Sequence, residues 1–173
     1  MVTPKRPDIL ARREVDPFDA RAARVAALDA LARRDHASTE LRRKLRDKGY
    51  DVAIVDELIE RLIAERLLDD RRYLQNFVAY HAARGQGPNR ARADLRKLGL
   101  QTPEAESSLE DYPDWITHLK KARQKKFGTS LPTNYAERQR QSRFLAYRGF
   151  TGAQIRAALG FDTELDADTT EEP

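Results

Sequence analysis

The amino-acid sequence predicts an all-α protein of three tandem three-helix repeats, about nine helices, forming an elongated, curved array. Three observations predict this fold. Apolar residues recur every three or four positions along most of the 173-residue chain, and clusters of β-branched residues are scarce. Helix-capping residues and glycines punctuate the chain at short intervals. One segment also resembles another further along the chain, which is typical of repeat proteins.

The helices follow from the order of capping residues and glycines. Asp16-Pro17 and Thr102-Pro103 each pair a capping residue with a first-turn proline. Ser38 and Asp51 are the expected caps of the second and third helices. Three glycines stand where a left-handed residue ends a helix, namely Gly49, Gly99 and Gly128. The predicted helices cover residues 17–34, 39–48, 52–67, 70–84, 89–98, 103–110, 114–127, 134–148 and 152–159.

Internal repetition organises these helices into units. Residues 31–49, "LARRDHASTELRRKLRDKG", align without a gap with residues 81–99, "HAARGQGPNRARADLRKLG". The alignment pairs four positions: Arg34 with Arg84, Arg42 with Arg92, Leu45 with Leu95, and Gly49 with Gly99. A third copy is placed by aligning 145–159 with 81–95, which puts Arg148 and Arg156 in the two arginine columns. Each unit alone buries too little apolar surface, so we expect neighbours to stack.

The predicted divisions of the chain are a flexible segment (1–15), three repeats and an acidic disordered tail (162–173). The first repeat covers 16–68, the second 69–128 and the third 129–161. An apolar stripe of Trp115, Leu119 and Ala122 is assigned to the second repeat, as its closing helix.

The segment "GQGPNR" (85–90) raises the possibility of a phosphate-binding loop. A dinucleotide fingerprint requires a preceding strand and a third glycine, and Arg90 stands at that third position. A P-loop requires a Gly-Lys-Ser/Thr ending, which this segment lacks. The turn is therefore interpreted as structural.

Signals of catalysis are weak. His36, His81 and His118 are scattered and form no metal-ligand spacing, so they are expected to face solvent or to be partly packed. Cysteine is absent, which removes thiol nucleophiles, disulfides and thiolate metal ligands. The sequence therefore predicts a protein that is not an enzyme, with no catalytic residue, metal, cofactor or small-molecule substrate.

The distribution of apolar residues bears on localisation. The first residues carry no apolar run of the signal-peptide kind, and no segment approaches roughly 20 apolar residues. A cytoplasmic protein without membrane contact is expected.

Positive charge is the feature that points to a partner. The net charge is +4, and the segment 163–173 contains five acids and no base, so the part of the chain before it, 1–162, carries +9. The segment 119–148 holds nine bases and one acid, where a surface selected only for stability would alternate signs. Two interpretations remain open: a solvated face that tolerates repulsion, or a docking face for phosphates or acidic protein groups.

The candidate partner-binding residues are the cations of the second and third repeats. Roles in helix capping and stem packing are at least as strong an interpretation for Arg84, Arg92 and Arg148. Five aromatic residues fall at spacings that suit core packing rather than base stacking: Tyr73, Phe77, Tyr80, Phe144 and Tyr147. The full candidate set is Arg84, Arg90, Arg92, Arg96, Lys97, Lys120, Lys121, Arg123, Lys125, Lys126, Arg138, Arg140, Arg143 and Arg148.

Three segments together resemble the RecX family of bacterial regulators of the RecA recombinase. "LDDRRYLQNFVAYHAARGQGPNRARADLRKLGL" (68–100) resembles the family's central signature, and "ALDALARRDHASTELRRKLRDKGY" (27–50) its first repeat. "KKFG" followed by "RFLAYRGFTGAQIRAAL" (143–159) resembles its third repeat. The resemblance implies three three-helix repeats and binding to the RecA filament on single-stranded DNA. It also implies inhibition of the recombinase, ATPase and co-protease activities, and so modulation of homologous recombination, DNA repair and the SOS response.

Two alternatives from other classes stay open at this point. One is a direct, non-specific nucleic-acid-binding helical-repeat protein that contacts single- or double-stranded DNA, with an affinity that falls steeply with salt. The other is a repeat scaffold for an unrelated acidic protein.

Overall fold

The structure is a computed structural model that describes residues 15–160, and in this range it contains helices and no strand. The predicted all-α class is confirmed. Expectations for the segments before residue 15 and after residue 160 lie outside the described residues. Nine helices occur between residues 15 and 160: α1 (Ala20–Arg33), α2 (Ser38–Asp47), α3 (Val52–Ala64), α4 (Asp70–Ala83), α5 (Pro88–Lys97), α6 (Pro103–Glu110), α7 (Trp115–Phe127), α8 (Tyr135–Tyr147) and α9 (Gly152–Leu159).

Most of the predicted helix starts are confirmed, with two corrections. Thr102 accepts a hydrogen bond from the Ala105 amide, and Asp51 accepts one from the Ala53 amide, as expected of N-caps. The cap of α1 is Asp19 rather than Asp16, because Asp16 instead accepts a hydrogen bond from the Phe18 amide in the preceding turn.

Ser38 is the second correction. It is the first helical residue of α2, after the N-cap Ala37, and it does not cap the helix. Its amide and its hydroxyl donate to the two carboxylate oxygens of Asp70, at 2.7 and 2.6 Å. Ser38 is buried, and these two bonds satisfy its polar atoms.

The described chain forms two compact units, which divide between Asp70 and Arg71. In the first unit, α1, α2 and α3 pack on one another. Alanines on α1 let the helix backbones approach closely, and larger side chains of α2 and α3 fill the space between them. The core residues of this unit include Ala23, Ala27, Ala30, Leu41, Leu45, Val55, Ile59 and Leu62.

In the second unit, α5 packs on α6, and α7, α8 and α9 pack on one another. The sequence assigned α7 to the second repeat, whereas α7 packs mainly on α8 and α9. Its first residue, Trp115, also donates from its indole nitrogen to the Leu109 carbonyl at the end of α6, at 2.8 Å. Helix α7 therefore contacts both groups of helices.

The repeat is most evident in the C-terminal ends of three helices. Helices α2, α5 and α8 each end with a buried leucine, a glycine of positive φ four positions later, and a buried apolar residue after it. In all three, the amide of that last residue donates to the leucine carbonyl, at 3.3, 3.0 and 3.1 Å. The three sets, which recur at a constant interval, are Leu45-Gly49-Tyr50, Leu95-Gly99-Leu100 and Leu145-Gly149-Phe150.

The third copy predicted at 145–159 is therefore out of register by one helix. That alignment matched the turn between α8 and α9 with the turns before α2 and α5. The error has a physical cause: Arg84-Gly85 and Arg148-Gly149 both end a helix with a left-handed glycine, so the two turns look alike in sequence.

Equivalent arginines of the first two repeats make equivalent ion pairs. Arg42 of α2 donates to Asp56 of α3, and Arg92 of α5 donates to Glu106 of α6, with the same sequence separation in both pairs. The Arg92 pairing is bidentate, and through its hydrogen bond it lowers the pKa of Glu106 below its ordinary value. These arginines thus join helices within one repeat, not across the seam between repeats.

The glycine-rich turn before α5 packs against the turn after α8. The Gly87 amide donates to the Arg148 carbonyl at 2.8 Å, and the Asn89 amide donates to the Gly149 carbonyl at 2.9 Å. The amides that would cradle a phosphate are therefore engaged by backbone carbonyls, and the structural interpretation of "GQGPNR" is confirmed. A Cβ built on Gly87 would lie 2.3 Å from the Phe150 nitrogen, so only glycine fits there.

Two of the three histidines are buried, contrary to the prediction that they face solvent or are only partly packed. His36 lies with Nδ1 3.0 Å from the Arg34 carbonyl and Nε2 3.4 Å from Lys44 Nζ, so the ring is a neutral donor at Nδ1 and an acceptor at Nε2. The His81 ring packs against the Phe77 ring at a tilt of 37°, with 4.4 Å between the ring centres, and its Nδ1 has no hydrogen-bond partner among the described residues. Burial lowers the pKa of both imidazoles.

This burial predicts a loss of stability on mild acidification. In the unfolded chain these imidazoles bind protons near pH 6.5, whereas in the folded chain they do so only at a lower pH. The free energy of unfolding therefore falls as the pH drops below about 6.5. For His36, burial is the largest influence and opposes protonation, the hydrogen bond to the Arg34 carbonyl and the charge of Glu40 favour it, and the charges of Arg34 and Lys44 oppose it. For His81, Asp94 and Gln86 favour it, and Arg90 and Arg84 oppose it.

The measurement is urea unfolding between about pH 7.5 and 5.5. We expect a falling midpoint in the native chain and a flatter dependence in the double variant His36→Gln/His81→Gln. A midpoint that stays constant or rises as the pH falls would contradict the assignment of two neutral buried rings.

A cation-lined cleft as the candidate functional site

The second unit contains a cleft of about 380 Å³ between the end of α4, helix α7 and the end of α8. We call it the α4–α7–α8 cleft. Small residues and one aromatic ring form much of its lining, and no carboxylate of the described residues lines it. The lining cations are Arg84, Lys121, Lys125, Lys126 and Arg148, and the other lining residues are Ala82, Ala83, Gly85, His118, Ala122 and Phe144.

Helix α7 places its lysines in the cleft by its own periodicity. Trp115, Leu119 and Arg123 are buried one turn apart, which fixes the inward face of the helix. Lys121 and Lys125 are one turn apart on another face and line the cleft. Neither they nor Lys126 make an ion pair with a residue in the range 15–160 that the structure describes.

The two arginines of the cleft are held in place by contacts near the ends of their helices. Arg84 donates to the Tyr80 hydroxyl at 2.8 Å and lies 5.3 Å from the centre of the Tyr80 ring. Arg148 lies 5.1 Å from the centre of the Phe144 ring and donates to the Arg84 carbonyl at 3.1 Å. Each guanidinium keeps further N–H donors for a ligand, because it has five.

Close backbone contact shapes the cleft where α4 ends. Gly85 has φ +67°, and a Cβ added there would lie 3.0 Å from the Ala122 Cβ. The turn after α4 thus approaches α7 closely. His118, at the edge of the cleft, lies with Nε2 3.1 Å from the Tyr112 hydroxyl.

The predicted candidates on α5 lie outside this cleft. Arg90 and Lys97 both pair with Asp94, at 3.2 and 2.8 Å, and Arg92 is engaged by Glu106. Arg96 lines a second cleft of about 370 Å³ between α5 and α6, together with apolar residues that include Leu95, Leu100 and Leu109. The structure therefore does not bring the four α5 cations together with the α7 lysines.

The remaining exposed candidates lie on α7 and α8 outside the cleft lining. Lys120 is exposed on α7. On α8, Arg140 pairs with Glu137 at 3.5 Å and lies 5.4 Å from the Phe127 ring centre. Arg143 donates to the Gln139 carbonyl at 3.4 Å, and Arg138 is exposed.

Arg123 was expected on the docking surface, and this expectation is wrong. Its side chain is 2% exposed. The guanidinium donates to the carbonyls of Gly128, Thr129 and Ser130 at 2.8 to 3.1 Å, and to the Gln141 side chain at 3.3 Å. It holds the loop after α7 against α8. The sequence did not indicate this role, because Arg123 stands within a run of lysines.

Two aromatic residues expected in the core are exposed instead. Tyr80 is 58% exposed and Tyr147 is 90% exposed, whereas Tyr73 is buried as predicted. Tyr80 lies one turn before Ala83 and Arg84, and Tyr147 precedes Arg148, so both stand next to residues that line the cleft. Helical spacing alone could not separate them from core residues. Both tyrosines stand in the last turn of their helices, α4 and α8, and this position is the feature of the sequence that indicates exposure.

The described residues offer no sign of a metal centre or a membrane span. Between residues 15 and 160, no group of three or more His, Asp or Glu side chains is placed to hold a metal ion. No helix in that range has the length and apolar character needed to cross a bilayer.

Short helices in three-helix groups, joined by tight glycine turns and carrying a cation-lined cleft, define a small all-α domain protein with a surface suited to anions. Comparison with known families gives its identity. Models of "RecX, first three-helix domain" and "RecX, third three-helix domain" match residues 23–62 and 114–159. The chain belongs to the RecX family of regulatory proteins, which confirms the resemblance seen in the sequence.

Individual relatives support the same conclusion. Regulatory protein RecX of Pseudomonas savastanoi pv. phaseolicola is 45% identical over 130 residues, which cover 75% of this chain and 84% of that protein. Regulatory protein RecX of Ectopseudomonas mendocina is 44% identical over 131 residues, covering 75% and 87%. The crystal structure of RecX from Lactobacillus salivarius superposes with a TM-score of 0.70 at 22% identity, covering 82% of this chain and 95% of that one, which shows a shared fold.

Proposed function

We propose that this protein binds the RecA recombinase filament on single-stranded DNA and inhibits its recombinase, ATPase and co-protease activities. By doing so it modulates homologous recombination, DNA repair and the SOS response. Membership of the RecX family supports this proposal. The observation that carries it is the α4–α7–α8 cleft, which gathers five cations from three helices without a carboxylate among its described lining residues.

The cleft suits a docking role for energetic reasons. Like charges on one helix face repel each other, so an anionic partner that neutralises them relieves this repulsion on binding. Arg84 and Arg148 are already oriented by their ring and carbonyl contacts, so their ordering costs little when they bind carboxylates in bidentate geometry.

This mechanism of inhibition requires no catalytic activity of the protein that binds the filament. ATP hydrolysis, strand exchange and co-protease function all depend on an extended filament. A protein that lies against the filament hinders these activities together by occupying surface that the next subunit or DNA strand requires. The protein acts as a binding regulator, in the cytoplasm, where RecA works.

Single-stranded-DNA-dependent ATP hydrolysis by RecA of the same organism tests the proposal. We expect hydrolysis to fall as the protein is added. The double variant Lys121→Ala/Lys125→Ala should require about tenfold more protein for the same inhibition, a loss of about 1.4 kcal/mol. A matched control, Arg43→Ala/Lys48→Ala, removes two exposed cations from α2 and its C-cap and should inhibit like the native chain. Unchanged hydrolysis at an excess of native protein would refute the proposal.

A further inference from the structure

Three equivalent turns of this fold differ in what lies against them. Each turn follows the glycine that ends α2, α5 or α8 and leads into the next helix. In the first repeat, the Asp51 amide donates to the Pro17 carbonyl at 2.9 Å, and the Val15 Cβ lies 4.0 Å from a Cβ added at Gly49. The stretch of backbone before α1 therefore lies against the turn between α2 and α3.

The equivalent turn of the third repeat is covered as well. The Asn89 amide donates to the Gly149 carbonyl at 2.9 Å, and a Cβ added at Gly149 would lie 2.5 Å from the Arg90 nitrogen. The backbone at the start of α5 therefore lies against the turn between α8 and α9. Two of the three equivalent turns thus receive a second stretch of backbone from the same chain.

The turn between α5 and α6 has no such cover among residues 15–160. A Cβ added at Gly99 has no neighbour within 4 Å, and the Gln101 amide makes no hydrogen bond to a described backbone carbonyl. Leu67 is the repeat equivalent of Pro17, and its amide donates to the Leu62 carbonyl at the end of α3, at 3.0 Å. The uncovered turn borders the cleft of about 370 Å³ between these two helices, which we call the α5–α6 cleft.

The lining of the α5–α6 cleft favours a segment that is both acidic and apolar. Glu106 is the one carboxylate among its described lining residues, and the bidentate pairing with Arg92 engages it. Arg96 is exposed and makes no ion pair with a residue between 15 and 160, so its guanidinium can bind a carboxylate in bidentate geometry. Three leucines supply the apolar part of the lining: Leu95, Leu100 and Leu109.

The segment 161–173, which lies outside the described residues, has this composition. Acids occupy every second position over its first part, at Asp162, Glu164, Asp166 and Asp168. The positions between them carry uncharged residues, which are Phe161, Thr163, Leu165 and Ala167. Side chains alternate between the two sides of an extended chain, so an extended conformation would place the acids on one side and the uncharged residues on the other.

The same segment is long enough to reach the cleft. Helix α9 ends at Leu159, in the same compact unit as α5 and α6. Residues 161–173 span up to about 45 Å when extended, whereas a compact unit of roughly 90 residues has a radius of gyration of about 12 Å. The α5–α6 cleft therefore lies within reach of the segment that follows α9.

We propose that residues 161–173 bind in the α5–α6 cleft of the same chain. Their apolar side chains lie against the leucines, a carboxylate pairs with Arg96, and a backbone carbonyl accepts a hydrogen bond from the Gln101 amide. The second repeat thereby gains the backbone cover that the first and third repeats have. The acidic segment is held away from the α4–α7–α8 cleft, which stays open to its partner. This contact does not depend on recombinase docking.

Nuclear magnetic resonance with a spin label tests the proposal in the full chain. The chain has no cysteine, so Ala167→Cys provides a single attachment point for a nitroxide. We expect the amide signals of Gly99 and Gln101 to lose most of their intensity and to regain it when the nitroxide is reduced. The repeat equivalents Gly49 and Asp51 are the internal control, and their signals should keep their intensity.

Two further substitutions in the labelled chain test the chemistry of the contact. Arg96→Glu reverses the charge that attracts the segment, and Leu165→Asp removes an apolar side chain from it. Either change should restore most of the signal of Gln101. Arg43→Glu, which reverses an exposed cation of α2, should leave the loss of signal unchanged. Unaltered chemical shifts elsewhere in each spectrum check that the fold is retained.

Three outcomes with the labelled chain would overturn the inference: full signals at Gly99 and Gln101, equal losses at Gly49 and Asp51, or losses on α7 instead. A mixture of labelled chains with unlabelled chains enriched in nitrogen-15 tests whether a second copy supplies the segment. We expect the enriched chains in this mixture to keep their signals. An equal loss in the mixture would overturn the contact within one chain.

Discussion

Replacing Gly87 by alanine is expected to destabilise the second unit by about 3 kcal/mol or more. Gly87 sits where the turn before α5 meets the turn after α8. The added Cβ would lie 2.3 Å from the Phe150 nitrogen and 2.4 Å from the Gly149 carbonyl atoms. These neighbours are backbone atoms, so relief requires the two turns to separate. Separation would break the bonds from the Gly87 and Asn89 amides, at 2.8 and 2.9 Å.

Gly99 offers a matched control for this effect. It ends α5 with φ +74° and has no neighbour within 4 Å of an added Cβ. Gly99→Ala therefore measures backbone strain alone, about 1 kcal/mol. Gly149→Ala combines both costs, because Gly149 has φ +89° and its Cβ would lie 2.5 Å from the Arg90 nitrogen.

Urea unfolding followed by the fluorescence of Trp115, the single tryptophan of the chain, reports on this unit. The expected order of stability is native, then Gly99→Ala, then Gly87→Ala and Gly149→Ala. If Gly87→Ala is as stable as Gly99→Ala, the two turns are not in the contact described.

Replacing Arg123 by alanine is expected to lower the free energy of unfolding by about 3 kcal/mol. The change removes a buried guanidinium and leaves three carbonyl oxygens and the Gln141 side chain without their donor. The loop after α7 should loosen, and α8 with it. Arg123→Lys should recover only part of the loss, because one ammonium cannot reach all four acceptors.

Lys121 supplies the comparison on the same helix. It is exposed and makes no ion pair with any residue between 15 and 160, so Lys121→Ala should change stability by less than about 0.5 kcal/mol. The same urea experiment measures both variants. Equal stability of Arg123→Ala and Lys121→Ala would show that Arg123 is not a structural residue.

Much of the fold was predictable because helix boundaries depend on local chemistry. Thr102 and Asp51 cap helices through hydrogen bonds from amides only a few positions away. A short stretch of sequence is therefore enough to predict such bonds. Leu45 and Leu95 were also correctly paired as equivalent core positions.

Features that depend on distant neighbours were not predictable in the same way. The exclusion of a side chain at Gly87 comes from the turn after α8, which is remote in sequence, and the burial of Arg123 comes from carbonyls of a loop that the sequence does not mark. The register of the third repeat was misjudged because similar arginine–glycine turns end different helices. For the cleft, the sequence identified the cations but not which of them meet, because the face of α7 is fixed by packing on α8 and α9.

Electron microscopy of RecA filaments on single-stranded DNA, with saturating amounts of this protein, tests the central claim most directly. The account predicts additional density along the filament or at its end, present with native protein and with the Arg43→Ala/Lys48→Ala control. The density should be weak or absent with Lys121→Ala/Lys125→Ala at the same concentration. Filaments that remain bare at an excess of folded native protein would contradict the claim that this protein works by docking on the recombinase.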